Sequence, residues 1–493
     1  MNISPIELEK DQVLYEQVAE RLQALITEGT LQPGHRLPSV RKLREQLSVS
    51  TSTVLEAYRV LEDRGLITVR PQSGYYVRQT VSTLLKEPSP TAPPLHVHDV
   101  DIIFDFQVTS TLQDEDRIPL GAAFPVMELL PLAQLNRLMG KVLRENPEKA
   151  HAYGGPIGCE ELRVELAKRM LNCGCSITPD QLMITNGANE AMYLALQALT
   201  KPGDVVAVES PTYFTFLEAM KTLQLKALTL PTHPREGVSL PHLEEALKTG
   251  RVKAVLLVSN FSNPVGCCMD DVKKKKLVEL LNQYDAVLIE DDVYGELYFE
   301  GTRPKAIKAF DTGDRVIYYS SLSKTLSPGL RIGWCAGGPY QPAISKLKSV
   351  INLGTAIAPQ LTVSTFLSNG GFDRHLRQLR RAYQSQMARM QQAISDYFPA
   401  ETRITRPSGG HVLWIEMPDG FDVLKLYRDA SQYRISIAPG VMFSASGKCY
   451  GNCFRINTAV PWSETIDKAV ETLGYLAKKQ LAEQLLDAAD RHL

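Results

Sequence analysis

The chain has 493 residues, 44% of them hydrophobic and 22% charged, with 54 Lys and Arg against 55 Asp and Glu for a net charge of −1. That composition suits two to four globular domains and excludes a disordered or fibrous chain, while near-neutrality means that any nucleic-acid binding must rest on a local patch. No run approaches the ~18 apolar residues of a membrane span, and the opening MNISPIELEKDQ lacks the basic-then-apolar pattern of a secretory leader. The eight cysteines form no pair of C-x-x-C clips, so reduced thiols, no metal site and a cytoplasmic setting are expected.

The first eighty residues predict short helices and a hairpin. Leu14, Val18, Leu22, Leu25 and Ile26 recur at helical spacing up to Gly29, and Pro33-Gly34 turns the chain. Ser39 caps a short helix with Leu43 and Leu47 on one face. Ser50 or Thr51 caps a third helix through Val54, Tyr58 and Leu61, closed by Gly65. Two β-rich runs, 67–69 and 75–77, flank Pro71-Gln72-Ser73-Gly74. Helix, helix-turn-helix, then hairpin is the order of a winged helix. Pro88, Pro90, Pro93 and Pro94 then mark a semi-extended linker over 81–114.

From residue 115 short apolar strands (182–185, 205–208, 254–258, 286–289, 316–319) alternate with amphipathic helices such as 189–199 and 272–281. This βαβ rhythm predicts a mainly parallel sheet covered by helices over 115–384. Strands at 411–416 and 453–456 predict a smaller α+β domain over 385–493.

Between Arg36 and Arg78 eight Lys or Arg face four acids, a local excess of +4. A helix-turn-helix sets the start of its second helix at base edges, here Ser50, Thr51, Ser52 and Thr53, whose hydroxyls suit bases or phosphates. Arg41 is long enough for a bidentate guanine contact, and Ser73 and Gly74 let the wing backbone approach a groove. The run LPSVRKLREQLSVSTSTVLEAYRVLEDRGLITVRPQSGYYV resembles the GntR family pattern over about forty residues. Thr51 departs from it, since related domains often carry a basic residue there. The resemblance implies that double-stranded DNA is the partner.

Five motifs follow in the body. Asn186-Gly187-Ala188-Asn189 turns a strand into a helix and opens N–H groups to an anion. SPTYF sets the Tyr213 ring just after a strand, where it can stack on a flat ligand. SNFSNPVG places the Asn263 amide after a buried strand. AVLIEDDVY ends an apolar strand in acids, with Tyr294 three residues after Asp291. Ser321-Leu-Ser323-Lys324 ends another strand and is followed by Pro-Gly-Leu-Arg331-Ile-Gly. The last resembles the SxSK…PGLRIG signature of fold-type I aminotransferases, which use pyridoxal 5′-phosphate.

Lys324 then becomes the catalytic, Schiff-base lysine. Asp291 faces the pyridine nitrogen, Asn263 and Tyr294 the phenolic oxygen, and Tyr213 the ring face. Gly187, Ala188, Asn189, Ser321, Ser323 and Arg331 surround the phosphate. The resemblance carries Arg455 of NCFRIN over as the clamp on a substrate α-carboxylate, and Tyr153 of AYGGPIG as a tyrosine reaching the neighbouring subunit's phosphate, which implies a homodimer. Ser262 and Asn189 stand where relatives have glutamine. His151, His411 and the lysines 273–276 read as packing or solvated residues.

A winged helix fused to such a body resembles the MocR-type regulators. The expected function is DNA-binding regulation in which the body senses pyridoxal phosphate, an amino compound, or both. A working aminotransferase with an accessory DNA-binding domain stays open as the alternative.

Overall fold

The computed structural model describes residues 13–27, 30–31, 35–63, 66–70, 73–77, 85–93, 95–102 and 116–490. The expected turns and stops at Gly29, Pro33-Gly34, Gly65 and Pro71-Gln72 lie outside them.

Helices Leu14–Thr27, Val40–Leu47 and Thr51–Asp63 pack with a hairpin of Ile67–Arg70 and Gly74–Val77. Apolar residues at helical spacing converge, and Val18, Leu22, Leu43, Leu47, Val54, Tyr58, Leu61, Ile67 and Val77 form one core. Ser39 caps its helix by accepting the Lys42 N–H at 3.3 Å. Ser50, not Thr51, caps the next, accepting the Thr53 N–H at 3.1 Å. The Tyr58 hydroxyl crosses the core to donate to the Pro38 carbonyl at 2.5 Å, fixing the second helix against the third. In the antiparallel hairpin Ile67 opposes Val77 and Arg70 opposes Gly74.

The large sheet runs in the order Val97–Asp99, Lys226–His233, Val205–Ser210, Val252–Val258, Leu288–Asp291, Val316–Ser321, Ile332–Ala336, Met183–Asn186. The five strands from 226–233 to 316–321 are mutually parallel. Those between 205 and 321 are buried almost throughout, as apolar runs covered by helices on both faces should be. Ile332–Ala336 runs antiparallel to both neighbours. Only ten residues separate it from the strand before, too few for a helical crossover, so it returns beside it.

The proline-rich stretch is bound to the body where it is described. Thr91 donates its hydroxyl to the Ser210 carbonyl at 2.6 Å and its N–H to the Thr232 carbonyl at 3.0 Å, and Val97–Asp99 pairs with 226–228 at the sheet edge. The prolines remove donors that a central strand would need, yet an edge tolerates them nearby.

A second sheet, Arg403–Ile404, Val412–Glu416, Cys453–Asn457, Ala438–Pro439, is antiparallel throughout. It packs on helices Val423–Gln432 and Glu464–Asp490 and on the far half of Gly371–Tyr397, through Met387, Met390, Leu413, Leu426, Phe454 and Leu473. That 27-residue helix passes residue 384 without interruption. It also meets the N-terminal domain. Arg381 pairs with Glu16 at 2.8 Å, and Arg389 donates to the Glu62 carbonyl at 3.4 Å.

One sequence expectation is corrected here. The lysine run is not uniformly solvated, because Lys274 is fully buried, donating to Asn260 Oδ1 at 2.7 Å and to the Lys305 carbonyl at 2.6 Å. A helix packed on a sheet buries one face whatever charge that face carries, so a lone inward lysine must find carbonyl partners.

Candidate active site and nucleic-acid interface

Strand ends and their loops bring the body's motif residues together. Gly187 sits at φ +80 as N-cap of the helix Ala188–Leu199, whose first N–H groups have no partner within the helix. A Cβ at Gly187 would collide with the Arg331 guanidinium. Arg331, itself at φ +51, donates to the Asn186 carbonyl at 3.0 Å, the Pro328 carbonyl at 3.2 Å and Ser323 Oγ at 3.4 Å. Ser321 is buried and accepts the Ser323 N–H at 3.4 Å. The helix start is braced from behind by Glu190, which accepts the Asn186 N–H at 2.7 Å and pairs with buried Lys348 at 2.9 Å. A glycine turn, a helix N-terminus, two hydroxyls and a guanidinium make a cradle for a phosphate-sized anion.

Asp291, at the end of its strand, is buried and accepts the Tyr319 hydroxyl at 2.8 Å and the Val293 N–H at 3.0 Å. Burial outweighs those bonds and pushes its carboxyl up to about 7. A cation placed against it would reverse that shift.

Lys324 donates from Nζ to the Ala123 carbonyl at 2.7 Å and lies 5.2 Å from the Phe124 ring centre and 5.9 Å from that of Tyr294. Burial, then the like charge of Arg455, pulls the ammonium down to about 8, so an appreciable fraction is free amine near neutrality. Asn263 donates to the Tyr294 hydroxyl at 3.4 Å and accepts from Arg455 at 3.0 Å. Burial and the neighbouring Tyr213 raise the Tyr294 hydroxyl pKa, so that it stays a donor. Tyr213 is the N-cap of Phe214–Thr222 and packs edge-on against Phe216 at 5.5 Å.

Arg455 is 1% exposed. It donates to Asn263 and to the Gly121 carbonyl, its Nε has no partner, and among the described residues no carboxylate pairs with it. Burial pulls its pKa down to about 10. A buried guanidinium satisfied only by neutral oxygens is ready to take a carboxylate.

Three contributors escaped the sequence reading. Tyr319 pairs in register with Asp291 across two parallel strands, a register that no local pattern in the sequence signals. The segment Gly121-Ala122-Ala123-Phe124 supplies carbonyls to Arg455 and Lys324, and only its small residues before a proline hinted at close approach. His411, set aside as packing, lies 5.5 Å ring to ring from Tyr294 with Nε2 unpartnered, and burial pushes its pKa down to about 3. Tyr153 is not brought to the pocket of its own chain, and stands 92% exposed.

The residues expected to meet DNA lie on the N-terminal domain. Arg41 is exposed and bridges Glu45 at 3.2 Å. Thr51 and Ser52 are exposed at the start of the third helix. Ser50 is engaged by its cap, and by contacts to Ser52 at 2.7 Å and Thr53 at 2.8 Å. At the wing tip Gly74 adopts φ +107, and Ser73 meets the Tyr76 hydroxyl at 2.7 Å.

Residues 14–77 match the bacterial regulatory proteins of the gntR family, and residues 129–473 match aminotransferase class I and II. Over 95% of its length the chain is 42% identical to the HTH-type transcriptional regulator YdcR of Escherichia coli (strain K12), covering 99% of that protein. YjiR of the same organism, also an HTH-type transcriptional regulator, is 38% identical over 93% of this chain and 98% of its own. Among solved structures, the α-aminoadipate aminotransferase LysN of Thermus thermophilus, complexed with N-(5′-phosphopyridoxyl)-L-leucine, superposes with a TM-score of 0.72 at 30% identity, over 77% of this chain and 96% of its own. No helix among the described residues is long and apolar enough to cross a membrane. A gntR-family reader on an aminotransferase class I and II body, shared almost end to end with HTH-type regulators, shows that the chain belongs to the MocR-type transcription regulators.

Proposed function

We propose that the chain regulates transcription from a DNA operator according to the state of its body, which holds pyridoxal 5′-phosphate and recognises an amino compound bearing a carboxylate. The observation that carries this reading is Arg455, a fully buried guanidinium with an unpartnered Nε and, among the described residues, no acid paired with it, opening on the pocket of Lys324 and Asp291. The donor set fits the cofactor: the Gly187 cradle suits its phosphate, Asp291 its ring nitrogen, Tyr294 and Asn263 its phenolic oxygen. When bound, that group supplies an electron-withdrawing ring and a carbonyl carbon that exchanges amines.

The chain's own residues do the rest. Lys324, whose ammonium is pulled down to about 8, would supply the amine that holds the cofactor's carbonyl carbon. Asp291, oriented by Tyr319 and Val293, would hold a proton on the ring nitrogen. Arg455 fixes a carboxylate so that the ligand's amine faces Lys324. A second copy completes the site. Gly354 packs on the carbonyls of Gly154 and Gly155, and next to these contacts in the chain Tyr153 at 92% and Leu353 at 58% are large side chains left exposed. Exposed apolar side chains at such a contact suit an interface, which would present Tyr153 to the partner's pocket.

The low pKa of Lys324 favours a second reading, turnover as an aminotransferase. Both readings share the pocket and separate at the DNA. Gel-shift titration of the region upstream of its own gene, with pyridoxal phosphate and a panel of amino acids, should show specific binding that changes with ligand. Arg455→Ala should weaken the amino-acid response ten- to a hundredfold, the loss of one charge-assisted contact at ~1.5–3 kcal/mol, while cofactor absorbance persists. Binding no better than to random DNA in every ligand state would overturn regulation in favour of the enzyme.

A further inference from the structure

His411 opens the strand Val412–Glu416 in the wall of the pocket. Its Nδ1 lies 3.0 Å from Asn457 Oδ1, which also accepts the Ala459 N–H at 2.9 Å, while the Asn457 amide nitrogen donates to the Phe124 carbonyl at 3.0 Å. Oδ1 is therefore an acceptor, Nδ1 carries the ring proton, and Nε2 presents a bare lone pair. That Nε2 is buried without a partner, and so is the hydroxyl of Tyr383. The two rings lie 5.4 Å apart, centre to centre. An unused acceptor and an unused donor thus sit on two rings in contact, in a core where buried polar groups are almost always paired.

The two residues belong to different machinery. His411 touches the pocket through Tyr294 at 5.5 Å, and its Asn457 partner holds Phe124, the ring beside Lys324. Tyr383 lies on the helix Gly371–Tyr397, between Arg381, paired with Glu16, and Arg389, bonded to the last turn of the recognition helix at Glu62. One turn on, the Gln386 amide in its satisfied orientation donates to the carbonyls of Thr458 and Ala459, which follow the Arg455 strand.

We infer that His411 and Tyr383 are a positioning pair that reports occupancy of the pocket to the DNA-reading domain. Filling the pocket against Tyr294 and Phe124 draws Nε2 and the Tyr383 hydroxyl into one hydrogen bond, and the helix carries the shift to Glu16 and Glu62. The unbonded and bonded arrangements are the two states that a ligand can bias. The inference rests on the sensing reading above and names its route.

The test uses the full chain, cofactor-free and then loaded with pyridoxal phosphate as the probe. Loading is followed by visible absorbance, and the response by hydrogen exchange of 14–27 and 51–63 and by affinity for the upstream DNA. Tyr383→Phe removes the hydroxyl and keeps the ring, and Arg381→Ala cuts the far end without approaching the pocket. Wild type should change exchange or DNA affinity by about tenfold on loading, a usual size for coupled sites. Both variants should load normally and respond by less than about twofold, leaving most of that coupling lost. A wild-type response in either loaded variant overturns the relay and leaves sensing intact. If Tyr383→Phe fails to load, Arg381→Ala decides alone. Loading without any response in the wild type overturns the relay and the sensing reading together.

Discussion

Buried carboxyls mark the cofactor-free body as a pH-sensitive object. Asp291 rises to about 7, Glu290 to about 7 and Glu209 to about 8, burial being the largest cause in each. A carboxyl raised in the fold binds its proton more tightly there than in the unfolded chain. Its contribution is therefore full below the unfolded pKa, near 4, and is lost as pH climbs through the folded value. Melting temperature of the cofactor-free protein should fall between pH 5 and pH 8, and Asp291→Asn should make that fall shallower. An equally steep fall in the variant would show that Asp291 does not titrate in this window. Gly187 allows a second prediction at this scale. At φ +80 and ψ 177 an alanine is strained by ~1–3 kcal/mol, and its Cβ meets the Arg331 guanidinium, so Gly187→Ala should weaken cofactor affinity by at least about tenfold in an absorbance titration. Affinity equal to wild type would place the anion site elsewhere.

At the scale of elements, the sequence was legible wherever period and punctuation agreed. Four of the five parallel strands, the strand Met183–Asn186 and the winged helix stand within two residues of their expected bounds, because apolar runs, caps and turn residues act locally, whereas the parallel strand Lys226–His233 was not expected. The antiparallel strand Ile332–Ala336 was hidden inside a motif, since pairing direction depends on the length of a connection and not on composition. Tyr319 and His411 were invisible for a related reason. Each gains its partner from a strand or helix remote in sequence, and Asp291 lies 28 residues from the tyrosine that supports it. Ser50 is spent on capping the recognition helix, so the expected base contacts fall on Thr51 and Ser52 and on the exposed Arg41 of the preceding helix. Arg41→Ala should accordingly cost ~1–3 kcal/mol at one base position of each half-site, while Ser50→Ala should lower the melting temperature of the domain by removing a cap of ~1 kcal/mol. A selection of binding sequences would check the first: unchanged base preference at every position would remove Arg41 from base readout.

For the whole molecule, the attachment of the proline-rich segment decides how far the reader can travel. Thr91 and Val97–Asp99 are already fastened to the body, so the tether between Val77 and Leu85 spans eight Cα steps, roughly 28 Å at full stretch. A reader so tethered cannot sample distant half-sites. In a dimer the spacing between the two half-sites is then set by the bodies, and it should be strict. With both readers engaged, the second binds at the high effective concentration of a tethered ligand, adding about a hundredfold or more to affinity. Moving one half-site by ~5 base pairs turns it to the opposite face of the duplex, since a helical turn is 10–10.5 base pairs. Binding of the full chain should then drop toward that of a single half-site. The slope of log affinity against log salt should roughly halve as well, because half as many phosphates are neutralised. Gel shifts across a spacing series at two salt concentrations measure both quantities. Affinity indifferent to spacing would mean that one reader binds at a time, and the +4 patch of a single domain would have to hold the operator unaided.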